Sequence, residues 1–261
     1  MMGGLIKHTF MQNNKKKDNL ILSLSCNILI PVIILKNGNV WINQILIQFD
    51  RDVWVYKLLI SVDILSTVFF IALICPVTYF FYDFLNRKKI NLISILGFIN
   101  ILLTGGIGIF GGKLGLSKNW FIFKEGMMPL IIASVLIIMK KYRQREFNNI
   151  LLNETLFDND KIRISISQEM QHQFEYIVKI AGYYLIAGFF ISSIIQFTIA
   201  SIIVVSNPGE STFNKEVATM TWVSYIAVLL PTMLVVGKGY WGLISGIEKI
   251  TGLKKEDFLK S

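Results

Sequence analysis

An all-α bundle of about six membrane-crossing helices is the fold this sequence predicts, and three observations carry the prediction. Hydrophobic residues make up 53% of the 261 and charged residues only 16%, against about a quarter charged in a water-soluble domain, whose surface has to be covered by polar groups. The apolar residues gather in six long runs. The charges bunch between those runs, as they do in a chain whose solvent is hydrocarbon over most of its length and water at the turns.

The runs are Leu20 to Leu35, Leu58 to Tyr82, Leu92 to Gly112, roughly Phe121 to Met139, Ile177 to Val205, and Ala218 to Gly237. About 20 residues at about 1.5 Å rise cross a hydrocarbon core of about 30 Å, and only helices or closed barrels satisfy their own backbone hydrogen bonds there. A barrel requires strands of about ten residues with strict apolar and polar alternation. The stretch VFFIALIC, Val68 to Cys75, has none. The first run is the shortest and fits a tilted, short or re-entrant helix.

Lysine and arginine are retained on the cytoplasmic side during insertion, so their placement orients the bundle. With the N-terminus inside, the cytoplasmic segments hold Lys7 and Lys15–Lys17; Arg87–Lys89; Lys140, Lys141, Arg143, Arg145, Lys161 and Arg163; and Lys249, Lys254, Lys255 and Lys260. These are seventeen cations, against seven outside: Lys36, Arg51, Lys57, Lys113, Lys118, Lys124 and Lys215. Lys179 and Lys238 fall at cytoplasmic helix ends. The bias predicts six spans with both termini cytoplasmic. The domain organisation that follows is a basic tail at 1–19, a membrane domain at 20–247 with a cytoplasmic loop at 140–176, and a second basic tail at 248–261.

Several function classes are excluded by pattern. The net charge of +9 is the cytoplasmic fringe of a membrane protein, where cations favour anionic lipid headgroups, rather than a nucleic-acid-binding face. Cys26 and Cys75 both fall in predicted spans, so they form neither a disulfide scaffold nor a metal cluster. Rise along the helices places them at about the same depth, roughly 9 to 11 Å inside the boundary, and predicts neighbouring but unbonded thiols. The layout of Lys15–Lys17 followed by LILSLSC resembles a lipoprotein signal, but the apolar run continues to Leu35 and Ser23 stands where such signals usually carry Leu. GIGIFG, Gly106 to Gly111, matches G-x-G-x-x-G by letter only, since it lacks the preceding strand and the later acid of a dinucleotide site. His8 and His172 stand far apart without ligand spacing. No G-x-S-x-G elbow is present. Asp158, Asn159 and Asp160 lack the glycine and terminal Glu of a calcium loop and read as a solvated turn. The sequon Asn153-Glu154-Thr155 falls on the cytoplasmic loop, where it is not glycosylated. No catalytic residue, metal site or cofactor is expected.

Polar residues at membrane depth are what remain. Asp63 has two readings, a side chain snorkelling to the outer interface or a buried hydrogen-bonding or ion-conducting group, since an acid in a span costs about 2.5 to 3.5 kcal/mol at the helix centre. Asn27, Asn100 and Gln196 fit interhelical hydrogen bonding. Pro31, Pro76, Pro129 and Pro231 kink helices and free backbone carbonyls. Gly105, Gly106, Gly108, Gly111 and Gly112 allow another helix to approach closely, with Gly108 a predicted contact position. An internal echo pairs Phe123-Lys124-Glu125 before the fourth span with Phe213-Asn214-Lys215-Glu216 before the sixth. Each Glu favours a helix N-terminus. Together the copies fit parallel repeats made of spans three and four and spans five and six.

The segments NLISILGFINILLTGGIGIF, Asn91 to Phe110, and WFIFKEGMMPLIIASVLI, Trp120 to Ile137, resemble the bacterial intracellular septation protein A (YciB-like) family and its uncharacterised relatives. NILIP, Asn27 to Pro31, and FNKEVATMTWVSYIAVLLP, Phe213 to Pro231, are similar in the same order, and the likeness covers roughly Asn19 to Ile247. The long loop 140–176 and the extended basic tail depart from that pattern. The resemblance implies a non-enzymatic bacterial inner-membrane protein of cell-envelope biogenesis or septation, acting through other membrane proteins, with oligomerisation open to it. Its functional candidates are Asn27, Pro31, Asp63, Asn100, Gly105, Gly106, Lys124, Glu125, Asn214, Lys215 and Glu216. The alternative is a small-molecule or ion transporter or channel, with Asp63 and the two Lys-Glu pairs along a polar path near the outer face. A continuous water-filled cavity containing Asp63 favours the transporter, and a dry, glycine-packed bundle favours the scaffold.

Overall fold

The computed structural model describes residues 25–48, 57, 63–87, 92–153 and 156–260, excluding the side chains of 83, 86, 87 and 92–97. The predicted tail 1–19, the start of the first run with the LILSL segment, Arg51, the start of the second run at 58–62, Lys88, Lys89, His8 and the sequon residues Glu154 and Thr155 lie outside the described residues. The described chain is predominantly helical, and no strand occurs among the described residues. A π-helical turn, Ser25–Leu29, leads into α1, Ile30–Gln48. There follow α2 (Ile64–Arg87), α3 (Leu92–Phe110), α4 (Lys118–Tyr142), α5 (Gln144–Leu151), α6 (Asn159–Ser165), α7 (Gln171–Ile203), α8 (Phe213–Thr251) and α9 (Lys255–Phe258). Among the described residues, five helices are long and apolar enough to cross a bilayer: α1 with its leading turn, α2, α4, α7 and α8. The chain is a multi-pass membrane protein. The apolar part of α3 described with side chains is the shorter segment Phe98–Phe110.

The long helices form a ring. Each packs on the next, α1 on α2, α2 on α3, α3 on α4, α4 on α7 and α7 on α8, and α8 returns to α1. The α2–α3 contact is made by missing side chains. A Cβ on Gly108 would stand 2.5 Å from the Phe69 ring, and one on Gly105 would run into Leu73. Gly106 meets nothing within 4 Å, so its predicted role in close approach is corrected: at about 100° per residue it points away from the face its neighbours use. Gly112 sits against Gly209, where a Cβ would fall 2.8 Å from the Gly209 Cα. The Cys26 and Cys75 thiols, from adjacent elements, are free and within hydrogen-bonding reach of one another, as their common depth predicts.

Helix ends differ from the apolar runs for physical reasons. The first helix continues through Lys36 and Asn37 to Gln48 instead of ending at Leu35, because a lysine keeps its stem along the helix while its ammonium stays in water. Lys36 is therefore a helical residue, not a loop residue. Helix α8 has 39 residues, about 58 Å at 1.5 Å each, roughly twice the hydrocarbon thickness. It runs on past Gly237, through Lys238, Glu248 and Lys249, and stops at Gly252, whose φ of +70° and N–H to Glu248 carbonyl bond close the last turn.

At that end of α8 the predicted loop 140–176 and the C-terminal tail form one folded lobe. Phe147, Leu151, Phe157, Ile162 and Phe258 are all buried there, and the Phe157 and Phe258 rings stack at 6.4 Å. The Asp158 N–H donates to the Phe258 carbonyl at 2.8 Å, and the Lys260 N–H donates to the Leu156 carbonyl at 2.9 Å. Asp158, read as part of a solvated turn, caps α6 by accepting from the Lys161 N–H at 3.3 Å. Burial of five large apolar side chains explains why this segment folds although it is polar overall.

Candidate functional site

Six helices in a ring leave a centre, and here the centre is hollow. A cavity of about 440 Å³ is lined by all six ring helices, a volume within the roughly 300–1,000 Å³ of small-molecule sites. Along α8 its wall extends from Val217 to Met233, about 24 Å of helix. The walls are mainly apolar, with Pro31, Leu35, Phe69, Leu73, Pro76, Phe121 and Met220 among them. Polar side chains enter from every side: Asn27 beside α1, Asn100 and Thr104 from α3, Glu125 from α4, Gln196 from α7, and Thr221, Ser224, Tyr225 and Thr232 from α8.

The hydrogen bonding of this lining is incomplete. Among the described residues, six buried side-chain oxygens have no hydrogen-bond partner. Four of them, on Asn100, Gln196, Ser224 and Thr232, belong to this cavity wall. An orphaned buried polar group costs about 1–3 kcal/mol, and four of the six belong to residues around one cavity. Ser224 is only 4% exposed and stands midway along the α8 wall.

An ion pair closes the α4 side. Lys124 Nζ lies 2.5 Å from Glu125 Oε1, with the two side chains 6% and 12% exposed. The same ammonium donates to Thr104 Oγ1 at 2.5 Å and stands 5.1 Å from the Phe121 ring centre. The Thr104 hydroxyl in turn donates to the Asn100 main-chain carbonyl at 2.9 Å. Lys124 thus ties α4 to α3 and neutralises Glu125, which faces the cavity. Charge burial at this depth is tolerated because both members are paired and hydrogen-bonded.

Of the sequence-predicted residues, Asn27, Pro31, Asn100 and Glu125 line the cavity, and Lys124 holds Glu125 in place. The others serve elsewhere. Asp63 is corrected: it stands immediately before α2 and outside the cavity wall, and with φ +76° its carboxylate accepts from the Ser66 N–H at 3.4 Å and the Ser66 hydroxyl at 3.2 Å. It is a helix cap, and the acid is accounted for by the orphan N–H groups of the first turn. Asn214, 2% exposed, donates to the Leu65 carbonyl at 3.0 Å and fastens α8 to the start of α2. Lys215 is exposed. Glu216 accepts from the Val205 N–H at 2.9 Å and from the Ser206 N–H and hydroxyl at 2.8 and 2.7 Å, clamping the turn between α7 and α8. The two Lys-Glu copies therefore do different work, although their helix starts meet where the Phe121 and Phe213 rings pack edge to face at 5.5 Å.

No protein-family profile, curated protein or solved structure matches this chain. No cluster of three or more metal-ligating His, Cys, Asp or Glu residues exists among the described residues.

Sequence reasoning passes over Thr104, Thr221, Ser224, Tyr225 and Thr232. A signal for the last four was present: Thr221, Ser224, Tyr225 and Thr232 recur at helical spacing and mark one polar face on a span. Hydroxyls are weak markers in a membrane helix, because each can satisfy itself on the carbonyl four residues earlier. Thr221 does so, donating to the Val217 carbonyl at 2.8 Å. Ser224 and Thr232 do not.

Proposed function

We propose that this chain is a six-span membrane carrier that takes a small amphiphilic molecule into its central cavity. The observation that carries the proposal is the convergence of four orphaned polar oxygens and the Lys124-held Glu125 on one hollow ring of helices. The lining defines the ligand class. Amide oxygens of Asn100 and Gln196, hydroxyls of Ser224 and Thr232 and the Glu125 carboxylate call for hydrogen-bond donors, such as hydroxyl or ammonium groups, and the apolar walls call for a hydrocarbon body. On this reading Pro31 and Pro76, both in the cavity wall, loosen α1 and α2 so that the ring can open. On this reading six spans place α3 in the bilayer with the five longer helices, the cation bias supports cytoplasmic termini, and the resemblance to the septation proteins implies a bacterial inner membrane. The pairs α3–α4 and α7–α8 then run in the same directions and serve as parallel repeats on either side of the cavity.

A second reading, a partner-dependent factor of cell-envelope biogenesis or septation, is favoured by the folded lobe at 144–170 and 252–260, which offers exposed apolar side chains such as Ile164. A thermal-shift series on the purified protein in detergent separates the two. Long-chain amino alcohols should raise the melting temperature, whereas ester analogues of equal chain length without donors should not. Glu125→Gln and Ser224→Val should abolish the difference. Equal shifts from both compound sets, or none from either, would remove the carrier reading and leave the partner-dependent one.

A further inference from the structure

Away from the central cavity, a second hollow of about 430 Å³ opens between the end of α4 and the start of α7, lined by Ile137, Lys140, Lys141, Tyr183 and Ile186. Its chemistry is graded along the helix axes. The two helices run antiparallel, so Lys140 and Lys141 on α4 and Lys179 on α7 occupy the rim nearest the lobe, while Ile137 and Ile186 lie about one helical turn further into the bundle. Lys140 is held in place. Its ammonium lies 3.0 Å above the centre of the Tyr183 ring and donates to the Lys179 carbonyl at 3.3 Å.

The cations here are uncompensated. Lys179 stands near enough to act electrostatically on Lys140, and among the described residues none of Lys140, Lys141 and Lys179 has a carboxylate within ion-pair distance. Among the other described lysines, Lys124 pairs with Glu125, Lys161 with Asp158 and Lys255 with Glu248. Like charges gathered at a partly buried rim without a counter-charge are an anion site awaiting its anion.

We propose that this hollow is a binding site for an anionic phospholipid, its phosphate held by Lys140 and Lys141 at the rim and the first carbons of an acyl chain lying against Ile137 and Ile186. The order of the lining selects a lipid over a free phosphate. A soluble anion has no use for an apolar floor, whereas a phospholipid presents its charge at the boundary and its hydrocarbon one turn deeper. The Tyr183 ring, 55% exposed, sits at the level where aromatic side chains meet headgroups. The ammonium of Lys140 spends one N–H on the Lys179 carbonyl and covers the ring, which leaves its remaining direction for a phosphate oxygen.

The experiment compares the full chain, purified in a neutral detergent, after addition of short-chain phosphatidylglycerol, short-chain phosphatidylcholine or inorganic phosphate, with lipid retention read by native mass spectrometry and stability by thermal unfolding. Phosphatidylglycerol should be retained and should raise the melting temperature by several degrees, and the other two should do neither. Lys141→Gln removes an exposed side chain with no structural partner in the hollow, so it folds, and it should weaken phosphatidylglycerol binding about fivefold, the size of one lysine's contribution at an anionic membrane surface. Lys140→Gln combined with Lys141→Gln should abolish selective retention. Equal retention of the two lipids, an equal shift from inorganic phosphate, or full phosphatidylglycerol binding by Lys141→Gln would each overturn the proposal.

Discussion

At Asp63 a single backbone angle decides what an acidic residue means. Its φ of +76° lies in the left-handed region, which Asp tolerates better than most residues because its short side chain bonds locally. Here it does so with Ser66, whose single hydroxyl proton is shared between Asp63 and the Ile109 carbonyl on α3 at 2.9 Å. An acid that reads as a membrane-buried charge is thereby a cap that anchors the α2–α3 contact. Asp63→Ala should cost about 1 kcal/mol through loss of the cap, with the left-handed backbone adding to it. Asp63→Gly should cost only a few tenths, since glycine relieves the angle. Neither should alter amphiphile binding in the central cavity. Thermal unfolding of both variants tests this, and a loss of binding in either with stability intact would return Asp63 to the polar path. The same scale shows why Ser224 and Thr232 are hard to recognise in sequence: a serine or threonine in an apolar helix bonds to its own backbone or to a ligand, and only coordinates tell which.

Between elements, the glycine cluster of α3 separates contact from coincidence. Gly105 and Gly108 face Leu73 and Phe69, whereas Gly106 faces open space. A run of small residues predicts that two helices come close, but not which glycine is used, because the answer depends on the rotation of α3 against α2. Gly108→Leu should therefore lower the melting temperature, by an amount corresponding to about 1–3 kcal/mol of overpacking against Phe69, while Gly106→Leu should leave it nearly unchanged. Equal effects at both positions would mean that α3 is rotated from the orientation described. The ends of elements follow another logic. Charged residues such as Lys36 and Lys238 mark where hydrocarbon stops, not where the helix stops, since backbone hydrogen bonding continues in water as long as a packing surface supports it. For α8 that surface includes the lobe, where Leu243 and Ile247 are buried.

The whole molecule is a ring of helices with a lobe at one end. In the proposed orientation, supported by seventeen cations against seven, the lobe, the basic rim of the second hollow and the C-terminal tail share the cytoplasmic face. Reporter fusions after Asn91 and after Ser261 should both read cytoplasmic. An external signal at either would change the span count and move the lipid site to the opposite leaflet. The membrane class and the sequence of long helices are legible without coordinates, because the exclusion of charge from hydrocarbon is strong, local and additive along the chain. Asn27, Pro31 and Asn100 are legible as candidates for the same reason, being polar or kinking residues where apolar ones are the norm, and Glu125 is legible through the Phe-Lys-Glu echo at the start of the fourth span. What only the tertiary structure decided is convergence: that α8 returns to α1 and closes the ring, that Asn100, Gln196, Ser224 and Thr232 face one cavity, that Lys124 turns inward while Lys215 stays outside, and that loop and tail fold as one lobe. Insertion energy depends on what each residue is, whereas a site depends on which way each helix is rotated, and rotation is set by contacts between residues as far apart as Asn214 and Leu65, a separation no local pattern records.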